Sequence, residues 1–300
     1  MRTKILRKIF NTTITMFVIL TVFTITTYEK NNTLRTNVEI KNISNITTNE
    51  VYLKNEDNYL VKTNIFLENG KNIIPNIINY LTITNKKTPV GLNSYIPKNT
   101  KLLSYKQSND LVTLNFSKEF LSDEKNKQLI ITGVVYSLLE QKDIKNVKIE
   151  VEEIPLSGYN EILNKNIGIN NKYLFNTRYD INKVVVYYID KISNENYYVP
   201  VTKYLNDKRE KIEIIVDELK KTENNLVSYL NENTKLINYR EEANVLFLNF
   251  NEYLLDENKE ISKEILNTIA YSVFDNYDVS QVIIQVDGKN VETLSRKDIS

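Results

Sequence analysis

The sequence predicts an α+β protein: two tandem copies of one module, each a small mixed sheet with two helices, set after an N-terminal transmembrane helix. Three observations carry this reading. The run Asn99-Thr-Lys-Leu-Leu-Ser-Tyr105 returns as Asn233-Thr-Lys-Leu-Ile-Asn-Tyr239, and both copies then reach Leu-Asn-Phe, at Leu114–Phe116 and Leu248–Phe250. Each copy continues through an acidic turn to a Tyr-Ser pair, Tyr136-Ser137 and Tyr271-Ser272, and closes on an alternating Val/Ile strand. A repeat of this length exceeds the ~20–50 residues of a solenoid unit, so it is a duplicated domain.

At the start of the chain, Arg2, Lys4, Arg7 and Lys8 form a basic end, residues 1–8. Residues 9–28 follow without a charge, a length that matches a bilayer-spanning helix. Basic residues before the run place the N-terminus in the cytoplasm and the rest outside. A cleaved signal peptide is the competing reading, although no small-residue cleavage pattern follows the run. Either way residues 30–300 are exported. Residues 29–49 are polar and aperiodic and read as a tether.

Module one is assigned to residues 50–156. Short extended pieces lie near Val51–Leu53 and Leu60–Leu67, and Gly70 ends a turn. Ile73, Ile74, Ile77, Ile78 and Leu81 have helical spacing, with Pro75 tolerated in the first turn. Thr100–Tyr105 and Leu111–Phe116 read as strands joined by Gln107–Asp110. A longer helix covers about Asn126–Gln141, with Ile130, Val134 and Leu138 one turn apart. The closing strand, Val147–Val151, alternates Val147, Ile149 and Val151 with Lys148 and Glu150. Residues 157–180, Asn-rich with Gly158 and Gly168, read as a linker. Module two, residues 181–294, repeats the order. Its helices carry Ile212, Ile215, Val216 and Leu219, then Ile261, Ile265, Ile269 and Val273. Its hairpin is Lys235–Tyr239 with Val245–Phe250, and its last strand is Val282–Val286 before Asp287-Gly288. Residues 295–300 form a tail.

Composition excludes several chemistries. The chain has no histidine and no cysteine among its 300 residues. A serine nucleophile therefore has no imidazole base, and ordinary zinc sites lack their usual ligands. Net charge is +1, and no basic–aromatic stripe points to nucleic acid. Six glycines form no phosphate-binding loop.

The remaining candidates each have a plain structural reading. Asp123-Glu124 and Asp256-Glu257 recur before the second helix; paired carboxylates suit a cation or acid–base work, but also a helix N-terminus. Tyr136, Tyr271, Tyr105 and Tyr239 occupy matched positions and read as packing residues, with a surface aromatic for a sugar or partner as the alternative. Ser137 and Ser272 read as small polar residues on a helix. Glu140, Lys142, Asp143 and Lys145 read as a solvated face. No catalytic, cofactor-binding or metal-binding residue is assigned, and no cofactor is expected.

The pattern Pro97-x-x-Thr100-x-Leu102, then Leu114-x-Phe116-Ser117-x-Glu119-Phe120, then Val135-Tyr136-Ser137-Leu138, resembles the GerMN domain of sporulation and germination proteins of spore-forming Firmicutes. The resemblance covers about residues 50–155 and 183–292. Copy two lacks a proline before Asn233-Thr234, and copy one has Glu152-Glu153 where copy two has Asp287-Gly288. Members are often lipoproteins; without cysteine, the N-terminal helix would be the anchor here. The resemblance implies a ring-building-like αβ module and a non-enzymatic, extracytoplasmic assembly role in a channel-like complex between mother cell and forespore. The implied partners are envelope proteins of that complex, with self-association. The alternative is a module that binds peptidoglycan or another envelope glycan.

Overall fold

A computed structural model describes residues 46–68, 73–84, 88–171 and 182–299. The basic end, the 9–28 anchor, residues 29–45 of the tether, Gly70 and residues 172–181 lie outside the described residues. Among the described residues, no helix is long and apolar enough to cross a membrane.

Module one opens with a hairpin, β1 (Ile46–Lys54) and β2 (Leu60–Glu68), then α1 (Ile73–Leu81). Next come β3 (Leu102–Ser108), β4 (Leu111–Phe116), α2 (Lys127–Leu139), β5 (Asn146–Val151) and the two-residue β6 (Ile154–Pro155). Module two has β7 (Asn182–Ile192), β8 (Glu195–Leu205), α3 (Lys211–Leu219), β9 (Leu236–Glu242), β10 (Val245–Phe250), α4 (Lys263–Asn276), β11 (Gln281–Val286), β12 (Lys289–Ser295) and α5 (Arg296–Ile299). The expected mixed sheet appears twice, in the orders β3-β4-β5-β6 and β9-β10-β11-β12. Its two central strands run parallel and its outer strands antiparallel. A separate two-stranded hairpin accompanies each sheet.

Three expectations change. β1 begins at Ile46, inside the segment read as a tether. The segment read as a tail is Ser295, which ends β12, and the turn α5; Arg296 donates to the carbonyls of Val279 and Tyr277. Residues 157–171, read as linker, are packed: Leu163 bridges Val147, and Ile169 is fully buried.

Helix α2 appears where the spacing of Ile130, Val134 and Leu138 placed it, and every residue from Ile130 to Leu138 is buried. A helix apolar all round belongs in an interior layer. Here α2 lies against β1, α1 and β5. Gly133 permits this, since a Cβ there would sit 2.4 Å from the Tyr95 ring. The buried side chains form one continuous cluster through both modules.

The two modules make the same sheet-closing turn from different residues. Asp287 and Gly288 have φ of 48° and 79°; Glu152 and Glu153 have 51° and 66°. Both turns are pinned alike: Asn249 accepts from the Gly288 amide at 2.8 Å, and Asn115 from the Glu153 amide at 2.9 Å. Two left-handed glutamates are strained, at roughly 1–2 kcal/mol each. Glu153→Gly relieves one of them. Thermal unfolding of that variant is expected to show a gain of about 0.5–1 kcal/mol, with Gly288→Glu showing a loss of similar size.

Candidate functional site

The matched Tyr-Ser pairs are a structural device. A strand at the margin of a hairpin leaves backbone groups unpaired unless something covers them. In copy one, Ser137 Oγ accepts from the Tyr52 amide of β1 at 2.9 Å, and Gln141 Nε2 donates to the Glu50 carbonyl at 2.9 Å. In copy two, Ser272 Oγ accepts from the Tyr187 amide of β7 at 2.9 Å. Asn276 brackets it, accepting from the Val185 amide and donating to its carbonyl. Farther along, Lys54 bridges Asn93 and Ile189 bridges Val227, extending the cover on each outer edge. Ser137 and Ser272 are therefore acceptors with no exposed surface.

Each device carries a tyrosine and a carboxylate. Tyr52 donates to Glu140 at 3.4 Å, and Tyr187 to Asp275 at 2.7 Å. Burial first, then these carboxylates, push both hydroxyls well above their usual range. Tyr52 packs edge-on against Tyr136 at 5.6 Å, and Tyr187 stacks with Tyr271 at 5.2 Å. The packing reading of Tyr136 and Tyr271 thus holds. Glu140 was read as part of a solvated face; it is largely covered and bonded to Lys62 at 3.1 Å. Lys142, Asp143 and Lys145 are exposed. The repeat itself carried the missed signal: Tyr136-Ser-Leu-Leu-Glu-Gln141 against Tyr271-Ser-Val-Phe-Asp-Asn276.

The two devices meet at the junction between modules. Lys62, Glu140, Tyr187, Tyr271 and Asp275 line a cleft of about 180 Å³. Lys165 spans it, with its ammonium 3.2 Å from Asp275 and its carbonyl accepting from Tyr136 and Lys183. Burial, aided by Lys211, lowers the Lys183 ammonium to about 8. Asn170 ties the hairpins together: its amide donates to the carbonyls of Leu60 on β2 and Pro200 on β8, and it accepts from the Leu60 amide. Asn55 donates to Asp190 at 2.6 Å, and Gly91, at φ 76°, lets Ile192 approach where a Cβ would collide.

The paired carboxylates are turn residues. Asp123 caps a short 3-10 turn by accepting from Asn126. Asp256 accepts from the amides of Asn258 and Glu260, well ahead of α4, whose N-cap is Ser262. The helix-dipole reading of Asp256-Glu257 is thereby replaced by turn capping. Among the described residues, no group of three or more acidic side chains is placed to hold a metal ion.

Tyr105 and Tyr239 overturn the packing expectation. They lie on β3 and β9, each an outer strand of its sheet. Their rings are 39% and 36% exposed, and each strand has a bulge that turns out an aliphatic side chain, Leu103 at 48% and Ile237 at 51%. Both strands are exposed beyond their first residue. So the hairpin edges are covered, whereas the same sheet edge is left open in both modules.

A family model described as "Germane: Sporulation and spore germination" matches residues 50–157 and again residues 185–292. The chain belongs to the Germane family. The GerMN resemblance read from the sequence is that relationship. The spore germination protein GerM of Bacillus subtilis (strain 168) is 26% identical to this Germane chain over 204 residues. That match spans 63% of the chain and 56% of the relative, just over half its length. The solved tandem GerMN domains of the sporulation protein GerM from Bacillus subtilis superpose with a TM-score of 0.76 at 24% identity. They cover 84% of this chain and 97% of that structure, which shows the tandem two-domain α+β fold.

Two predictions follow from the junction. Ser137→Ala and Ser272→Ala each leave a buried strand amide unpaired and are expected to cost about 1–3 kcal/mol in chemical denaturation. The folded chain releases the Lys183 proton near pH 8, whereas an ordinary lysine keeps it to 10.5. The unfolded state thus binds more protons between those values, and stability rises with pH across that window. Lys183→Met should flatten the rise and melt higher than wild type at pH 7, with the difference shrinking toward pH 10.5.

Proposed function

We propose that this Germane protein is a non-enzymatic assembly protein of sporulation or germination. In this reading it is held by residues 9–28 to the cell membrane, N-terminus inside. Its two modules work outside that membrane, supporting an envelope complex between mother cell and forespore. The family description and the name of the Bacillus subtilis relative support the sporulation context. The uncharged 9–28 segment behind a basic end supports the anchor.

One observation carries the docking role: β3 and β9 are open edges with matched exposed pairs, Leu103/Tyr105 and Ile237/Tyr239. An unpaired edge is a template for an added strand. Each module keeps an aliphatic side chain and a tyrosine at matching places on that edge. Bulged aliphatic residues supply apolar area beside the free backbone groups, and the tyrosines supply the amphipathic contact common at interfaces. Envelope proteins of the spore complex are the partners this reading names, together with self-association.

Deleting the gene in its host and scoring heat-resistant spores and germination tests the context; normal spores and germination under all conditions would remove it. The docking role is tested by Leu103→Glu combined with Ile237→Glu. Both sites are exposed, so folding stability should stay within about 0.5 kcal/mol of wild type. Spore yield or germination should nonetheless fall toward the deletion level. A folded double variant that restores the wild-type phenotype would exclude the edges.

A further inference from the structure

We propose that a second cleft at the module junction, walled by Asn58, Gln128, Thr132, Asn170 and Asn224, binds a short uncharged glycan. It is about 320 Å³ in volume, at the lower end of the ~300–1,000 Å³ usual for small-molecule sites. Helix α2 forms one wall, the β1–β2 turn another, and residues 170–171 and 224 the remainder.

Two of its polar side chains are unused by the protein. Thr132 is only 4% exposed, lines the cleft, and makes no hydrogen bond through its hydroxyl among the described residues. A hydroxyl that the fold does not use is free to exchange hydrogen bonds with a ligand group or water in the cleft. Gln128, one turn earlier on α2, also lines the cleft, and its carboxamide makes no hydrogen bond among the described residues. A hydroxyl and a carboxamide together both donate and accept, as sugar hydroxyls do. Asn170 is fully engaged with backbone groups of Leu60 and Pro200, so its part of the wall is rigid.

The lining also sets the ligand's charge. Among the described lining residues there is no lysine or arginine to pair with a phosphate, sulfate or carboxylate. Asp57 is the one carboxylate among the described lining residues, and it already accepts from Asn225 at 3.0 Å. Leu129 adds a small apolar surface against which the C–H face of a sugar ring can rest. An amide-rich wall with an apolar patch fits a neutral polyhydroxylated ligand. The cleft shares no residue with β3 or β9, so this assignment stands or falls apart from the docking role.

Isothermal titration of the full-length chain with chitotetraose, and separately with cellotetraose, up to about 10 mM tests the assignment. At least one neutral tetrasaccharide should bind. Thr132→Val, which removes only the hydroxyl, and Gln128→Ala, on the half-exposed first turn, should each retain the wild-type unfolding curve. A loss of about 3- to 10-fold in affinity in either variant supports the site. No binding of either sugar to wild type, or unchanged affinity in both folded variants, overturns it. Tighter binding of a sulfated tetrasaccharide than of both neutral ones also overturns it.

Discussion

Everything in this fold depends on what happens at the outer edges of the two hairpins. A two-stranded hairpin is marginal alone in water. Here each one is completed by a helix laid along its margin, whose serine and amide side chains take the places of missing strand partners. The contact spans 85 residues in each copy, so it joins the start of a module to its late helix. Once that margin is closed, α2 and α4 are fixed, and with them the parallel strand that follows each helix.

The duplicated device also brings charge to the partly covered junction. Tyr52 with Glu140 and Tyr187 with Asp275 put two carboxylates near one another, and Lys62 and Lys165 answer them. Buried ionic groups are costly unless paired, and removing one partner strands the other. The junction is thus specific rather than merely sticky: a shifted packing would separate these charges. Asn170 and the close approach of Gly91 to Ile192 set the same register from the opposite side.

Much of the module was legible because it is periodic. The helices over Ile73–Leu81 and Lys211–Leu219 and the strands ending at Phe116, Phe250 and Val286 all announce themselves by spacing. Pairing across long separations was not legible. Nothing local distinguishes Ser137, an acceptor for a strand amide, from a serine facing water. Glu140 looked solvent-exposed because its neighbours Lys142 and Asp143 are. Tyr105 and Tyr239 lie opposite the buried Leu114 and Leu248. Apolar runs made them look like core residues, while their position on an outer strand, a property of sheet order, leaves them exposed. The β12 strand was hidden because its sequence, Lys289–Ser295, is mostly polar, as suits an outer strand.

The continuous core has a consequence for how the open edges behave together. The described residues from Thr47 onward form one compact unit around one core, so β3 and β9 are held at a fixed separation and orientation. Two contacts on a stiff body act with high effective concentration toward an array that repeats at the matching spacing, and singly toward anything else. Avidity then turns distance into selectivity. Two weak edges on one inflexible frame discriminate between lattices by their pitch, which a flexible linker of the same length would blur.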